Sequence, residues 1–278
     1  MEIGINLNCY SNELPIERQA ELMKENGFTK TFDMSDSPLV NDETVGILKE
    51  AGITFATLHA PFSKINSMWQ VGEDGDKMLL SIADGVDKCA KYNIPVLVVH
   101  LSSKFPPPRI SDIGNERYQK LMDYAACKGV TIAYENQRTL SNLSYALEIF
   151  EAAGFCWDTG HEGCFTPNRQ YMPLFGDRLK TVHIHDNMCE FDKDLHLLPF
   201  DGKIDFNRVA KQFAEAKYND VLMLEVLRSN SNFYDDISAE DYYKRAGDAA
   251  KRLSEMVEKM SGMLKNSGPQ EKSKTCIT

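Results

Sequence analysis

The feature that most restricts the fold of this chain is a regular alternation of short apolar segments with longer segments whose apolar residues recur at helical spacing. Residues 3–7 predict a strand, and residues 14–27 predict a helix that ends on a glycine suited to a C-cap. About eight such pairs follow one another. The other predicted strands are 30–34, 53–58, 94–99, 130–134, 155–157, 179–182 and 221–224, and the other predicted helices are 42–52, 76–92, 117–129, 142–154, 171–178 in part, 205–216 and 239–265.

Strict strand-helix alternation with largely apolar strands predicts an α/β protein whose parallel sheet is covered by helices. Eight pairs favour a single-domain (β/α)8 TIM barrel over residues 1–265, and the 278 residues suit a fold that needs about 250. A doubly wound open sheet is the alternative, but it would fit six or seven strands better, and no G-x-G-x-x-G motif follows the first strand. Residues 266–278 are predicted to form a disordered C-terminal tail.

Composition and charge exclude several classes of protein. No apolar run approaches the roughly 20 residues of a membrane span, and the N-terminus lacks the basic and apolar regions of a signal peptide, so we expect a cytoplasmic protein. Seven cysteines without a Cys-x-x-Cys pair argue against a disulfide framework or a thiolate zinc cluster. A formal net charge of −10 opposes broad attraction to nucleic acid or to an anionic membrane.

The ionisable residues cluster at predicted strand ends. All six histidines lie at the end of a predicted strand or in the following loop, and none lies in a predicted helix: His59, His100, His161, His183, His185 and His196. The carboxyl ends of the strands of a βα barrel meet at one rim, so residues remote in sequence become neighbours there. Three carboxylates, Glu135, Asp158 and Glu225, also end apolar strands, where burial of a charge is costly unless it is paired or binds a metal. They are predicted to be ligands or acid-base groups.

The segment from Phe155 to His161 combines several of these signals. An apolar strand stops at Asp158, and Gly160 is a position where the backbone could turn with positive φ and bring His161 back toward the acid. Carboxylate and imidazole both suit zinc, manganese or cobalt, so the segment predicts shared metal ligation.

Two further pairs of residues stay open at this stage. His183 and His185 are two residues apart and point the same way in a strand, so spacing leaves either as the ligand. Arg138 and Arg228 follow strand ends and are candidates to hold a phosphate or carboxylate.

The motifs at the strand ends, in their order along the chain, resemble those of the xylose isomerase-like barrel superfamily, and more closely its sugar phosphate isomerase/epimerase branch. They are Leu58-His59-Ala60-Pro61-Phe62, Val98-Val99-His100, Tyr134-Glu135-Asn136, Trp157-Asp158-Thr159-Gly160-His161, Val182-His183-Ile184-His185-Asp186-Asn187, Asp194-Leu195-His196, Asp201-Gly202-Lys203-Ile204-Asp205-Phe206 and Leu224-Glu225-Val226. The resemblance covers roughly residues 1–260. It implies a divalent metal (Mn, Co, Mg or Zn) held by Glu135, Asp158, His183 and Glu225, and it selects His183 over His185.

The resemblance also implies a function in carbohydrate metabolism. In such isomerases and epimerases the metal coordinates two neighbouring sugar oxygens and stabilises an enediolate. Carboxylates move a proton between the adjacent carbons. Glu135 and Glu225 are then expected to move the proton of a sugar or sugar phosphate and His161 to orient the substrate, with further substrate contacts from His59, His100 and Arg228. A dehydratase or lyase that uses the same enediolate chemistry is an alternative, and homodimers are common in the family.

A rival interpretation comes from the same superfamily, which contains endonuclease IV, a DNA-repair phosphodiesterase with three zinc ions. Its ligand set can be matched to nine residues of this chain: His59, His100, Glu135, Asp158, His161, His183, Asp194, His196 and Glu225. The residues around His59, after His183 and between Asp194 and His196 depart from its pattern, and acidic charge with short loops offers no basic track for a duplex. A centre of up to three metals that does not act on DNA stays open. A barrel that binds without turnover is disfavoured, because it would be expected to lack the proton-transfer carboxylates.

Overall fold

Parallel strands form the interior of the protein, and helices surround them. The computed structural model describes residues 1–167 and 169–266. Its strands are β1 (Ile3–Asn6), β2 (Lys30–Phe32), β3 (Thr54–Phe55), β4 (Thr57–His59), β5 (Val96–Val99), β6 (Thr131–Glu135), β7 (Gly154–Asp158), β8 (Leu179–His183) and β9 (Leu222–Leu224). Its α-helices are α1 (Ile16–Glu25), α2 (Asp42–Glu50), α3 (Glu73–Tyr92), α4 (Asp112–Cys127), α5 (Leu140–Ile149), α6 (Thr159–Phe165), α7 (Met172–Phe175), α8 (Phe206–Glu215) and α9 (Ala239–Asn266).

The strands form two parallel sheets, in the orders β3-β2-β1-β9 and β4-β5-β6-β7-β8. Backbone hydrogen bonds join the sheets at both seams. His59 N donates to Asp33 O at 2.9 Å on one side, and Ile184 N donates to Met223 O at 2.9 Å on the other. Since β3 and β4 are two halves of one strand interrupted at Ala56, the ring has eight strands, and the predicted α/β TIM barrel is confirmed.

Local sequence signals explain where several helices begin. Asn41 caps α2 by accepting from Thr44 N, Ser111 caps α4 by accepting from Gly114 N, and Asp205 caps α8. The Ser111 cap starts α4 at Asp112, five residues before its predicted start. α3 likewise begins at Glu73, earlier than predicted.

Arg117 of α4 ties the loop after β4 to the helical shell. Its side chain is 3% exposed, and its guanidinium donates to four backbone carbonyl oxygens, in Ser67, Met68, Gln70 and Gly72. It also pairs with the exposed Asp76, with NH2 to Oδ1 at 2.9 Å. One buried cation thus satisfies the polar backbone of an irregular segment.

Two sequence expectations were wrong in the region after β7. Gly160 does not adopt a positive φ but lies in the helix α6, which was not predicted. His161 therefore also lies in a helix, in its first turn. The seven-residue helix is too short for helical periodicity to be recognised in the sequence.

Three other sequence expectations concern the C-terminal residues, membrane-spanning helices and the cysteines. Residues 267–278 of the predicted disordered tail lie outside the described residues, and Asn266 ends α9. None of the helices in the described part of the chain is both long and apolar enough to span a bilayer. The six cysteines in these residues are all free thiols, as expected.

Candidate metal centre

A cavity of about 270 Å³ opens at the carboxyl end of the barrel. Its walls contain seven of the predicted site residues together with other polar and aromatic side chains, namely His59, Phe62, His100, Ser103, Lys104, Glu135, Gln137, Arg138, His161, Phe165, Asp194, His196 and Glu225. A larger hollow of about 620 Å³ lies at the amino end of the strands and contains none of the predicted site residues. The carboxyl end is therefore the candidate site.

Strand alternation explains why ligand-type residues converge there. His59, Glu135, Asp158 and His183 are the last residues of β4, β6, β7 and β8, and each is at most 2% exposed. Two positions before His100, Glu135 and Asp158, and on the same side of their strands, Val98, Ala133 and Cys156 form an apolar cluster with Val96 beneath the site. The barrel interior changes from apolar to ionisable within one layer.

The four residues of the predicted metal set lie together. Each of Glu135, Asp158, His183 and Glu225 offers a ligand atom, and these atoms lie within 4.8 Å of one another. His183 Nδ1 is 2.5 Å from Glu135 Oε1 and 3.3 Å from Glu225 Oε2. Burial would raise the pKa of Glu135, but the adjacent His183 and His100 outweigh it and hold that pKa well below the usual range.

A second group of potential ligands lies beside the first and comprises His161, His185, Asp194 and His196. Asp194 Oδ2 is 3.2 Å from His161 Nε2 and 3.1 Å from His196 Nε2, and its Oδ1 is 3.7 Å from His185 Nε2. Burial lowers the pKa of His196, but the Asp194 carboxylate more than compensates and raises it to about 9. Spacing left His183 and His185 as alternatives, and the structure places one in each group.

The donor types of both groups fit a bound cation. Three carboxylates with one imidazole suit a divalent metal such as Mn, Co or Zn, and three imidazoles with one carboxylate suit zinc. The ring nitrogens that face the neighbouring carboxylates are His183 Nδ1, His100 Nε2 and His185 Nε2, and these are the atoms available to a cation.

Backbone carbonyl groups orient three of the histidine rings. Nδ1 of His59 lies 2.7 Å from Ala60 O, Nδ1 of His161 lies 3.1 Å from Asn136 O, and Nδ1 of His196 lies 2.9 Å from Glu225 O. When each Nδ1–H donates to its carbonyl oxygen, the Nε2 lone pair faces the centre of the cavity. Such bonds fix the tautomer and the ring orientation that a metal ligand needs.

The turn between β7 and α6 sets the position of two potential ligands. Asp158 caps α6, and its Oδ1 accepts from His161 N at 2.6 Å. A Cβ at Gly160 would lie 1.8 Å from Cε1 of His185, so the glycine is required by the close approach of that ring and not by backbone conformation.

The loop after β8 carries Asp194 and His196, and a buried carboxylate anchors it. Asp186 accepts from Asn187 N, Gly202 N and Ile204 N at 2.8–3.0 Å. The bridge between Asp186 and Leu197 then turns the loop back over the barrel.

Some residues of the site were not recognised from sequence, and one predicted residue lies elsewhere. Gln137, Lys104 and Phe62 line the cavity; the one signal for Gln137 was its place two residues after Glu135. Arg228 is not among the lining residues. Its NH2 donates to Asp235 O, and its guanidinium covers Tyr10 at 4.9 Å. A substrate contact by Arg228 stays a prediction.

Arg138, in contrast, does line the cavity. Its Nε donates to Asp192 Oδ1 at 2.8 Å, and its guanidinium lies 3.9 Å from the Phe165 ring centroid. Trp157 and Phe155, which the sequence assigns to packing, are fully buried behind the site.

The chain is similar in sequence to known proteins over most of its length. The family model described as "Xylose isomerase-like TIM barrel" matches residues 18–256. A protein of Sinorhizobium fredii, described as uncharacterized protein y4fM, is 27% identical over 285 residues, which cover 87% of this chain and 89% of that protein.

Solved structures with a similar fold include two sugar epimerases and one protein with a bound zinc atom. D-psicose 3-epimerase from Clostridium cellulolyticum H10 has a TM-score of 0.75 at 16% identity, covering 92% of this chain and 99% of that one. The 3-keto-D-glucoside 4-epimerase YcjR from E. coli has a TM-score of 0.70 at 20% identity, with coverage of 92% and 99%. The IolI protein, solved with a bound zinc atom, has a TM-score of 0.71 at 16% identity, with coverage of 94% and 99%.

Proposed function

The chain belongs to the xylose isomerase-like TIM barrel family, and we propose that it is an isomerase or epimerase of a small sugar or sugar phosphate that depends on a divalent metal. The proposal rests chiefly on one observation. Three carboxylates and one histidine from four different strand ends, Glu135, Asp158, His183 and Glu225, converge at the cavity.

The chemistry of these side chains fits proton transfer between adjacent carbons. A divalent metal bound by the four-residue group would supply Lewis-acid stabilisation of the negative charge that develops on neighbouring sugar oxygens. Glu135 and Glu225 both line the cavity, and each has a carboxylate oxygen within 3.3 Å of His183 Nδ1. A carboxylate held ionised at neutral pH can take a proton from carbon and return it.

The remaining cavity residues suit substrate binding. His161 belongs to the second ligand group, its Nδ1 lies 3.7 Å from Asp158 Oδ2 of the first, and we assign it to orienting the substrate. Phe62 is 38% exposed and packs on His100 with ring centroids 4.5 Å apart, which gives the cavity one apolar wall. Lys104 and Arg138 provide positive charge among the lining residues, where a phosphate or carboxylate of the substrate would be attracted.

The experiment that tests the proposal is solvent-proton exchange at carbon. Purified protein loaded with Mn²⁺, Co²⁺ or Zn²⁺ is incubated in D₂O with a panel of ketoses and their phosphates, and deuterium incorporation is followed by NMR. The Glu135→Gln variant should lower exchange at least about 100-fold, the usual contribution of a positioned acid-base group. Glu116→Gln, an exposed change on α4, is the control. Unchanged exchange in Glu135→Gln would remove Glu135 from the mechanism.

A second function is favoured by a specific observation. All nine residues that match the endonuclease IV ligand set belong to the two ligand groups or contact them, and the two groups share the space around Asp158 and His161. Several metals could activate a water and neutralise a leaving phosphate oxygen. Elemental analysis separates the two functions. About one metal per chain supports the isomerase, whereas three tightly held zinc ions would direct assays to abasic-site DNA and phosphate esters.

A further inference from the structure

Gln137 occupies a central place among the potential ligands. It lies in the loop after β6, two residues beyond Glu135, and is 5% exposed. Its Nε2 donates to Glu135 Oε2 at 2.8 Å and lies 3.0 Å from His100 Nε2 and 3.2 Å from His161 Nδ1. One amide nitrogen therefore stands within hydrogen-bond distance of three residues that could each bind a metal.

The orientation of this amide follows from its neighbours. The Gln137 amide faces Glu135 Oε2 with its nitrogen at 2.8 Å, so its NH₂ group and not its carbonyl oxygen is turned toward that carboxylate oxygen. Tyr171 Oη donates to the backbone oxygen of Gln137 at 3.4 Å, which helps to hold the loop in place.

The two oxygens of Glu135 have separate partners as a result. Oε1 faces His183 Nδ1 at 2.5 Å, on the side of the four-residue group. Oε2 faces His100 Nε2 at 2.6 Å and the Gln137 amide, with His59 Nε2 at 3.8 Å. A carboxylate that bridges two metal ions uses one oxygen for each, and here the second oxygen is already engaged by two side chains.

We propose that Gln137 is a positioning residue that limits the number of metal ions in the centre. Its NH₂ group places the positive end of an amide dipole among Glu135, His100 and His161, where an additional cation would otherwise bind. A cation that took Glu135 Oε2 together with His100 would have to displace this amide. Glu135 is thereby kept as a ligand through Oε1 alone.

The proposal extends the proposed function, because metal number separates the two kinds of chemistry considered for this barrel. One metal suffices as the Lewis acid for proton transfer between neighbouring carbons, whereas phosphodiester cleavage is promoted by metals acting on both the attacking and the leaving oxygen. Gln137 would thus act against the multinuclear centre and in favour of the isomerase.

Metal stoichiometry tests the proposal directly. Wild type, Gln137→Ala and Gln137→Glu are stripped with a chelator, reconstituted with excess Zn²⁺, passed through gel filtration and analysed for zinc per chain. Ala removes the amide, and Glu replaces its NH₂ group with a carboxylate oxygen at the same chain length. We expect each variant to bind one more zinc ion per chain than wild type, with the tighter binding in Gln137→Glu when measured by calorimetry.

The matched control is Gln212→Ala. Gln212 is a glutamine of α8 that is also 5% exposed but bonds to Arg208 and Gln170, and it does not line the cavity. Its zinc content should equal that of wild type. If both Gln137 variants bind the same number of zinc ions as wild type, the proposal is wrong. Should Gln137→Ala not fold, Gln137→Glu decides alone.

The outcome is independent of the proposed function. Failure of the isomerase proposal would appear as absent proton exchange in the wild-type protein with every sugar tested. Failure of the Gln137 proposal would appear as an unchanged zinc count in the variants.

Discussion

Substitution of Gly160 by alanine tests how the second ligand group is packed. The new Cβ would lie 1.8 Å from Cε1 of His185, about 1.6 Å short of the 3.4 Å at which ordinary contact begins. Neighbouring side chains restrict movement of the His185 ring, because it stacks on His196 with centroids 4.1 Å apart and its Nε2 lies 3.1 Å from Asp158 Oδ1. Either α6 or the ring must shift.

The expected cost follows from three contributions. Overpacking of a well-filled interior costs about 1–3 kcal/mol. Separation of the buried His185 from Asp158 adds roughly 2 kcal/mol or more, while alanine in a helix gains about 1 kcal/mol over glycine. We therefore expect Gly160→Ala to lower the free energy of unfolding by about 3 kcal/mol, which for a chain of this size lowers Tm by roughly 5 °C.

Urea denaturation followed by circular dichroism, with chelator present, measures the change without a metal contribution. Gly163→Ala is the matched control in the same helix, since its Cβ would meet Ile204 at a tolerable 3.3 Å, and it should stay within about 1 kcal/mol of wild type. Gly160→Ala should also bind less zinc, because His185 Nε2 moves away from Asp194. Equal stability of the two variants would refute the described packing of His185 against α6.

Three further predictions concern two charged residues, Arg117 and Asp33, and the binding of metal to the site. Arg117→Met should lower the free energy of unfolding by about 3 kcal/mol in urea titrations, because buried carbonyl groups lose their donor; a loss below about 1 kcal/mol would contradict the role of Arg117. Burial raises the pKa of Asp33, so the folded state binds the carboxyl proton more tightly than the unfolded state does. The resulting contribution to the free energy of unfolding is present at low pH and is lost as pH rises through the folded pKa. The free energy of unfolding of Asp33→Asn should therefore rise relative to that of wild type as pH rises, by at most about 1.4 kcal/mol per pH unit. A pH-independent difference between the two proteins would contradict the burial of this carboxyl group. Added Zn²⁺ or Mn²⁺ at about 100 times its Kd should stabilise the wild type by about 2.7 kcal/mol, and a metal-independent Tm would argue against any metal centre.

Much of the fold could be predicted from the chain because the signal is local and repeated. Each strand is an apolar run, each long helix shows its own periodicity, and eight such pairs leave few ways to bury the strands. Single local signals were less reliable. Gly160 suggested a turn with positive φ, yet it is a helical glycine selected by a ring from the next strand.

What the sequence by itself determined is which residue types stand at the carboxyl ends of the strands: Glu135, Asp158, His183 and Glu225 follow apolar runs, and barrel geometry brings such ends to one rim. Their catalytic roles stay predictions. Only the tertiary structure decided which neighbours meet across that rim. Gln137 lies between Glu135 and His161, and His185 joins Asp194 and His196 instead of His183. These choices depend on loop paths and ring orientations set by contacts between distant segments, and no spacing along the chain encodes those contacts.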